Sequence, residues 1–254
     1  MKAQSRSSSI PIKRSKSSRQ HGTAPAAWTV RRAVAELKRY GEERNVEGMA
    51  RFGIHSKIVY GVSKPQMDAI AKRIGKDHRL GLKLWETGIH DARILGILIS
   101  EPELVTSAQM EKWVRDFDNW DVCDGACCHL FVDASLAWQK AFAWSSRKKE
   151  FEKRAGFALA AFLAVHDKSD DKAFQKFLKV IQREAWDERN FVRKAVNWAL
   201  RNIGKRNRLL NRAAIAAAER IRLEGTRAGR WIAADALREL KSEAVQNRLR
   251  KKDA

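Results

Sequence analysis

From Trp28 onward, apolar residues recur at spacings of three and four along almost the whole chain. The stretches "RILGILI", "FALAAFLAV", "AVNWALRNI" and "WIAADALREL" each lay such a stripe along one side of a helix. The pattern breaks at Gly61 to Pro65, Gly75 to His78, Gly88, Glu101-Pro102, His166 to Asp170, Gly204 to Asn207 and Gly225. These breaks predict many helices of roughly 10 to 18 residues joined by short loops. Only 4 prolines and 14 glycines punctuate the 254 residues, too few for a protein built from many tight β-turns. An all-α chain is expected.

Within that pattern a weak repeat is visible. "KRAGFALAAF" begins at Lys153, "RKAVNWALRN" at Arg193 and "GRWIAADALR" at Gly229, so aligning Arg154, Lys194 and Arg230 gives steps of 40 and then 36 residues. That period suits a HEAT-like helical-repeat solenoid, an α-α superhelix in which each helical pair buries its face against its neighbours. Such a stack has a concave side, and a cation precedes the apolar helix in each copy. Residues 26–245 are expected to form this domain. Residues 1–25 are Ser/Lys/Arg-rich with little to bury and read as a disordered basic tail, and residues 246–254 read as a basic C-terminal tail.

Charge narrows the partner. The formal net charge is +21; residues 1–25 hold six Lys/Arg and no acid, which leaves +15 on the rest. A field of that size favours a polyanion, and nucleic acid is the commonest one. It weighs against a protein–protein scaffold, which needs no such field. The start of the chain is polar, without the apolar core of a secretory leader, and no run of about 18 apolar residues exists to span a membrane. Three cysteines crowded into six positions make no disulfide framework, so a reduced cytoplasmic protein is expected.

The densest chemistry lies in "DFDNWDVCDGACCHLFVD", residues 116 to 133. Cys123, Cys127, Cys128 and His129 are the candidate metal ligands. All four lie on one expected helix, where Cys123 and Cys127 share a face while Cys128 and His129 rotate away. Structural zinc sites pair such spacings with a second pair elsewhere, and this chain has none, so buried thiols acting as small apolar groups fit better than a metal. Trp120 and Asp124 are four apart and so sit one above the other on a helix face. Taken alone, that pair reads equally as a core ring beside a surface charge.

"NWDVCD", together with "FEKRAGFALAAF" and "FVRKAVNWALRNIGKRN", resembles the HEAT-like DNA alkylation repair glycosylase family (AlkD-like). "VYGVSKPQMDAIAKRIG" and "HDARILGILIS" are similar to its N-terminal helices, so the likeness runs over roughly residues 30 to 240. The resemblance implies a stack of helical pairs holding double-stranded DNA in a basic concave groove. It implies removal of cationic alkylated purines, such as N3-methyladenine and N7-methylguanine, by hydrolysis of the N-glycosidic bond with the base left largely stacked. By position, Asp124 matches the catalytic aspartate, Trp120 and Trp198 the tryptophans flanking the lesion's sugar-phosphate, and Arg154 the arginine on the DNA backbone. Lys194, Lys205 and Arg206 are further candidate DNA contacts in the same elements. One departure stands out: "GMARFGI" places Phe52 where the family often has Tyr.

Elementary chemistry agrees with those roles. An N-alkylated purine already carries positive charge and leaves without a general acid, so what needs stabilising is an oxocarbenium on the deoxyribose. A fixed carboxylate and tryptophan faces both attract that cation, while arginine fixes the phosphate. No cofactor or metal is required. The reading is a monomeric, nucleoid-associated DNA glycosylase, and its rival is a non-catalytic HEAT-like protein recognising distorted or branched DNA.

Overall fold

The structure, a computed structural model, describes residues 27–167 and 171–252. The expected tail over residues 1–25 lies outside the described residues. The chain forms helices α1 Val30–Arg39, α2 Glu43–Arg51, α3 Lys64–Ile74, α4 His78–Trp85, α5 His90–Ile99, α6 Ser107–Arg115 and α7 Trp120–His129. These are followed by α8 Ala137–Trp144, α9 Glu150–His166, α10 Lys172–Glu184, α11 Asn190–Gly204, α12 Arg208–Glu224, α13 Arg227–Leu240 and α14 Glu243–Lys252. No strand occurs among the described residues.

The breaks marked by Gly and Pro are where helices end, for identifiable reasons. Ser63 and Gln66 close a capping box at the start of α3, with Pro65 in its first turn. The Asn207 side chain accepts from the Leu210 N–H at the start of α12, and Gly225 ends that helix in the left-handed conformation at φ 75°. Further breaks at 116–119, 130–136, 145–149 and 185–189 contain neither Gly nor Pro and left no mark in the apolar spacing. The expected tail from residue 246 needs correction. As far as residue 252 this stretch is helix α14, because Leu249 is buried and Gln246 donates to Asn211 Oδ1 (3.1 Å) and the Leu240 carbonyl (2.7 Å).

Helices α3, α5, α7, α9, α11 and α13 pack in succession as one layer, and α8, α10 and α12 lie against the later members of it. Side-chain hydrogen bonds fix the register of this layer. Cys127 Sγ reaches the Ala155 carbonyl (3.6 Å) from α7 to α9, Asn202 Nδ2 the Ala161 carbonyl (3.1 Å) from α11 to α9, and Asn197 Nδ2 Asp235 Oδ2 (2.7 Å) from α11 to α13. The three copies seen in the sequence are therefore α9, α11 and α13, running parallel. Helix α9 is buried on almost every side, as its nearly unbroken apolar run from Phe157 demands. Gly156 lets it meet α8 closely, since a Cβ there would come within 2.5 Å of the Ser145 backbone nitrogen.

Two apolar clusters fill the stack, one among α1, α3, α4 and α5 and a larger one beyond, where Trp85 and Trp113 stack at 4.0 Å. Ion pairs support the second. Burial pushes the Glu111 carboxyl up, but hydrogen bonds from Lys140, Arg147 and Trp144 outweigh it and bring it down to about 2. Asp187 is likewise brought to about 2 against burial by Arg189 and Lys153. Carboxylates depressed in the folded state add stability above their unfolded values of about 4, and lose it as pH falls toward 2. Acid unfolding should therefore set in across that window. Glu111→Gln should flatten the difference between melting temperatures measured at pH 7 and pH 3; an unchanged difference would show that Glu111 carries none of it.

Candidate active site

Helix α7 starts where Asn119 takes the N-cap. Its Oδ1 accepts from the Val122 N–H (3.0 Å), and its Nδ2 donates to Ser56 Oγ (2.9 Å), tying the helix to the loop before α3. This cap sets the phase of the helix. Cys123 and Cys127 turn inward against α9, where their thiols donate to the Phe151 and Ala155 carbonyls at 3.6 Å each. Burial pushes the Cys123 thiol up, so it stays protonated. Among the described residues no group of three or more His, Cys, Asp or Glu is arranged to hold a metal.

With the cysteines inward, Asp124 faces the N-terminal end of α9. Arg154 grips it bidentately: Nε donates to Oδ1 at 2.9 Å and an amino nitrogen donates to Oδ2 at 2.6 Å. The other amino nitrogen donates to the Phe191 carbonyl at the start of α11 (2.7 Å). Three helices are thus joined through one guanidinium. Arg154 is buried at 7% exposure, whereas the Asp124 side chain keeps 17%, so the carboxylate retains an open edge. Burial pushes the Asp124 carboxyl above its ordinary value; Arg154 pulls the other way, and Asp121 on the same helix adds to the rise. Asp124 in turn holds the Arg154 guanidinium in its charged form against the cost of burial.

Trp120, one turn before Asp124, is partly exposed and fixed by its Nε1–H, which donates to the Phe52 carbonyl (2.9 Å). The Phe52 ring itself is 74% exposed. The main chain at position 52 therefore does the holding, and that does not depend on a tyrosine hydroxyl. The next residue, Gly53, has φ +79°, and a Cβ there would lie 3.0 Å from the Phe191 ring. The end of α2 thus closes over the site and touches the start of α11.

The structure brings Trp120, Asp124 and Arg154 together. Trp198 lies in the same helical layer but further along, edge-on to Phe162 of α9 at 4.8 Å. Phe162 is eight residues past Arg154, about 12 Å along the axis. Lys194 is exposed on α11 within a turn of Phe191. Lys205 and Arg206 lie at the opposite end of that helix, about 20 Å away at 1.5 Å per residue. There Lys205 pairs with Glu239 (2.7 Å) and Arg206 with Asp171 (3.3 Å). Sequence reasoning missed Asn119, Gly53 and Phe191. Asn119 carried a readable signal, a cap residue directly before a helix. The contact between Gly53 and Phe191 spans 138 residues of sequence and had none.

Parallel helices stacked in one layer, with second helices behind, define a HEAT-like helical-repeat protein. The chain belongs to the family described as DNA alkylation repair enzyme, whose model matches residues 33–240. A solved structure from a new family of proteins related to the HEAT-like repeat DNA glycosylases, with affinity for branched DNA structures, shares the fold. It superposes with a TM-score of 0.72 at 19% sequence identity, over 87% of this chain and 96% of that one. Comparison with curated proteins gives no match.

Proposed function

We propose that the protein binds double-stranded DNA and hydrolyses the N-glycosidic bond of cationic alkylated purines. The observation that carries this reading is the Asp124 carboxylate, fixed bidentately by Arg154 with one edge open and Trp120 one turn away. In this reaction the C1′–N bond breaks with its electron pair going to the base, which already bears the positive charge and leaves neutral. The deoxyribose is left as an oxocarbenium. Asp124 stabilises that charge from a preset position, and the Trp120 ring face contributes the attraction of its quadrupole. Water then adds at C1′ and passes its proton to the carboxylate and on to solvent. Arg154 orients the carboxylate, and its remaining N–H groups are available to the adjacent phosphate. The body charge of +15 and exposed cations such as Lys194 supply affinity for the backbone.

The rival reading, a binding protein for branched DNA without turnover, draws on the solved relative's affinity and on exposed rings at Phe52, Trp186 and Trp231 that could stack on unpaired bases. One experiment separates the two. Incubated in excess with duplex DNA carrying N7-methylguanine, the protein should release the free base in a single turnover well above the spontaneous rate. Tight binding of the same duplex with release at the spontaneous rate would establish the rival.

A further inference from the structure

The face of α7 next to Asp124 borders a separate cavity of about 300 Å³ that the reaction above does not use. Asp121, Gly125 and His129, each four apart, present that face to it. The remaining walls are largely aliphatic, with Ile54, Met67, Ile94 and Leu98 among them. Its wall at residues 60–62 is held in place, because the buried Asp91 carboxylate accepts from the Tyr60 N–H (2.7 Å) and the Val62 N–H (2.8 Å). The space is therefore built into the fold and does not depend on side-chain movement.

His90 is the anomaly. It lines this cavity at 3% exposure, and among the described residues neither of its ring nitrogens has a hydrogen-bond partner. Its Nε2 lies 3.2 Å from Asp121 Oδ2, an ion-pair distance, but the two are not aligned for a hydrogen bond. Buried polar groups are almost always satisfied, and an exception that faces an open space marks a place where a partner from outside is expected. At the mouth, Lys64 is paired with Asp68 (2.6 Å), and the Asp121 carboxylate is 38% exposed. A phosphate entering here would meet a carboxylate, so the guest is neutral. It must also be flat or narrow enough for aliphatic walls, and must carry a donor beside an acceptor on one edge.

We propose that this cavity receives an adenine base, its exocyclic amino group donating to Asp121 and a ring nitrogen accepting from His90. Adenine offers that donor–acceptor pair on one edge, and bases taken out of a helix are characteristically read by edge hydrogen bonds between apolar walls. The placement, three residues from Asp124 on the same helix, puts the base within the DNA-binding region of the proposed function, on which the source of the base rests. An extrahelical adenine of the bound strand and a free adenine in solution share this chemistry.

The test has two arms. Ligand-detected NMR titrates free adenine against the wild-type protein, with hypoxanthine, which turns a carbonyl toward Asp121, as the mismatched control. Separately, duplexes with a single unpaired adenine or an abasic analogue at the same position are compared for affinity. His90→Leu removes the polar partner and Leu98→Trp fills the space; thermal melts confirm that each is folded. Binding of adenine over hypoxanthine, or of the unpaired adenine over the abasic duplex, by at least tenfold, and loss of that preference in both variants, supports the site. Which arm shows the preference identifies the source. No preference in either arm, or a preference unchanged in folded His90→Leu, overturns it. Neither arm requires excision, so adenine selectivity without release of N7-methylguanine would retain the cavity and remove the glycosylase reading.

Discussion

Asp124→Asn should lower single-turnover excision of N7-methylguanine by about a hundredfold or more, the usual cost of losing an electrostatic group aimed at developing charge. Affinity for the undamaged duplex should change little, because the carboxylate acts on the oxocarbenium and not on the ground state. Asparagine has the size and shape of aspartate and can still accept from Arg154, so the join between α7 and α9 persists in outline. The guanidinium nevertheless loses its counter-charge at 7% exposure. Breaking a buried pair by removing one partner costs about 3–5 kcal/mol, and the amide should limit the loss to the lower part of that range. Rate and stability measured together identify the role. A folded variant that keeps most of its rate would remove Asp124 from the chemistry.

Arg154→Ala should have the second-largest effect, and its pattern should differ. Without the guanidinium, nothing opposes the burial and the Asp121 charge that already push the Asp124 carboxyl up. More of it is then protonated at a given pH, and the acid limb of the pH–rate profile should move upward. The carboxylate also loses its orientation, and a misplacement of about 1 Å can cost a hundredfold in rate. At neutral pH the excision rate should fall by about that factor even when DNA saturates the protein, and should recover in part as pH rises. Arg154→Lys, which keeps the charge but not the bidentate grip, should leave the acid limb near its wild-type position while still losing rate. A variant that loses only DNA affinity, with an unmoved profile, would make Arg154 a plain backbone contact.

These predictions rest on a pairing that links two positions 30 residues apart. The sequence supplied both partners, through their likeness to a family pattern, but it assigned Arg154 to the DNA backbone. What it lacked was any means of showing that the guanidinium is committed first to Asp124 and to the Phe191 carbonyl. Similarly, "GKRNR" beside the WALR element looked like one basic surface with Arg154. The rise of α11 carries Lys205 and Arg206 to its far end, where they meet Glu239 and Asp171.

By itself the sequence determined the all-α class, the parallel copies beginning near Arg154, Lys194 and Arg230, and the helix that carries Trp120 and Asp124. Those features depend on local terms: apolar spacing of three and four, and caps and glycines that end a helix within a few residues. Breaks without such residues, at 116–119 and 185–189, escaped for the same reason. Tertiary structure alone decided which side of α7 faces α9, which cation meets Asp124, and that the end of α2 closes on Phe191 through Gly53. It also decided that His90 ends up buried beside an open space. Such contacts are set by how whole helices dock, and the docking depends on the summed packing of many side chains that no short stretch of sequence contains.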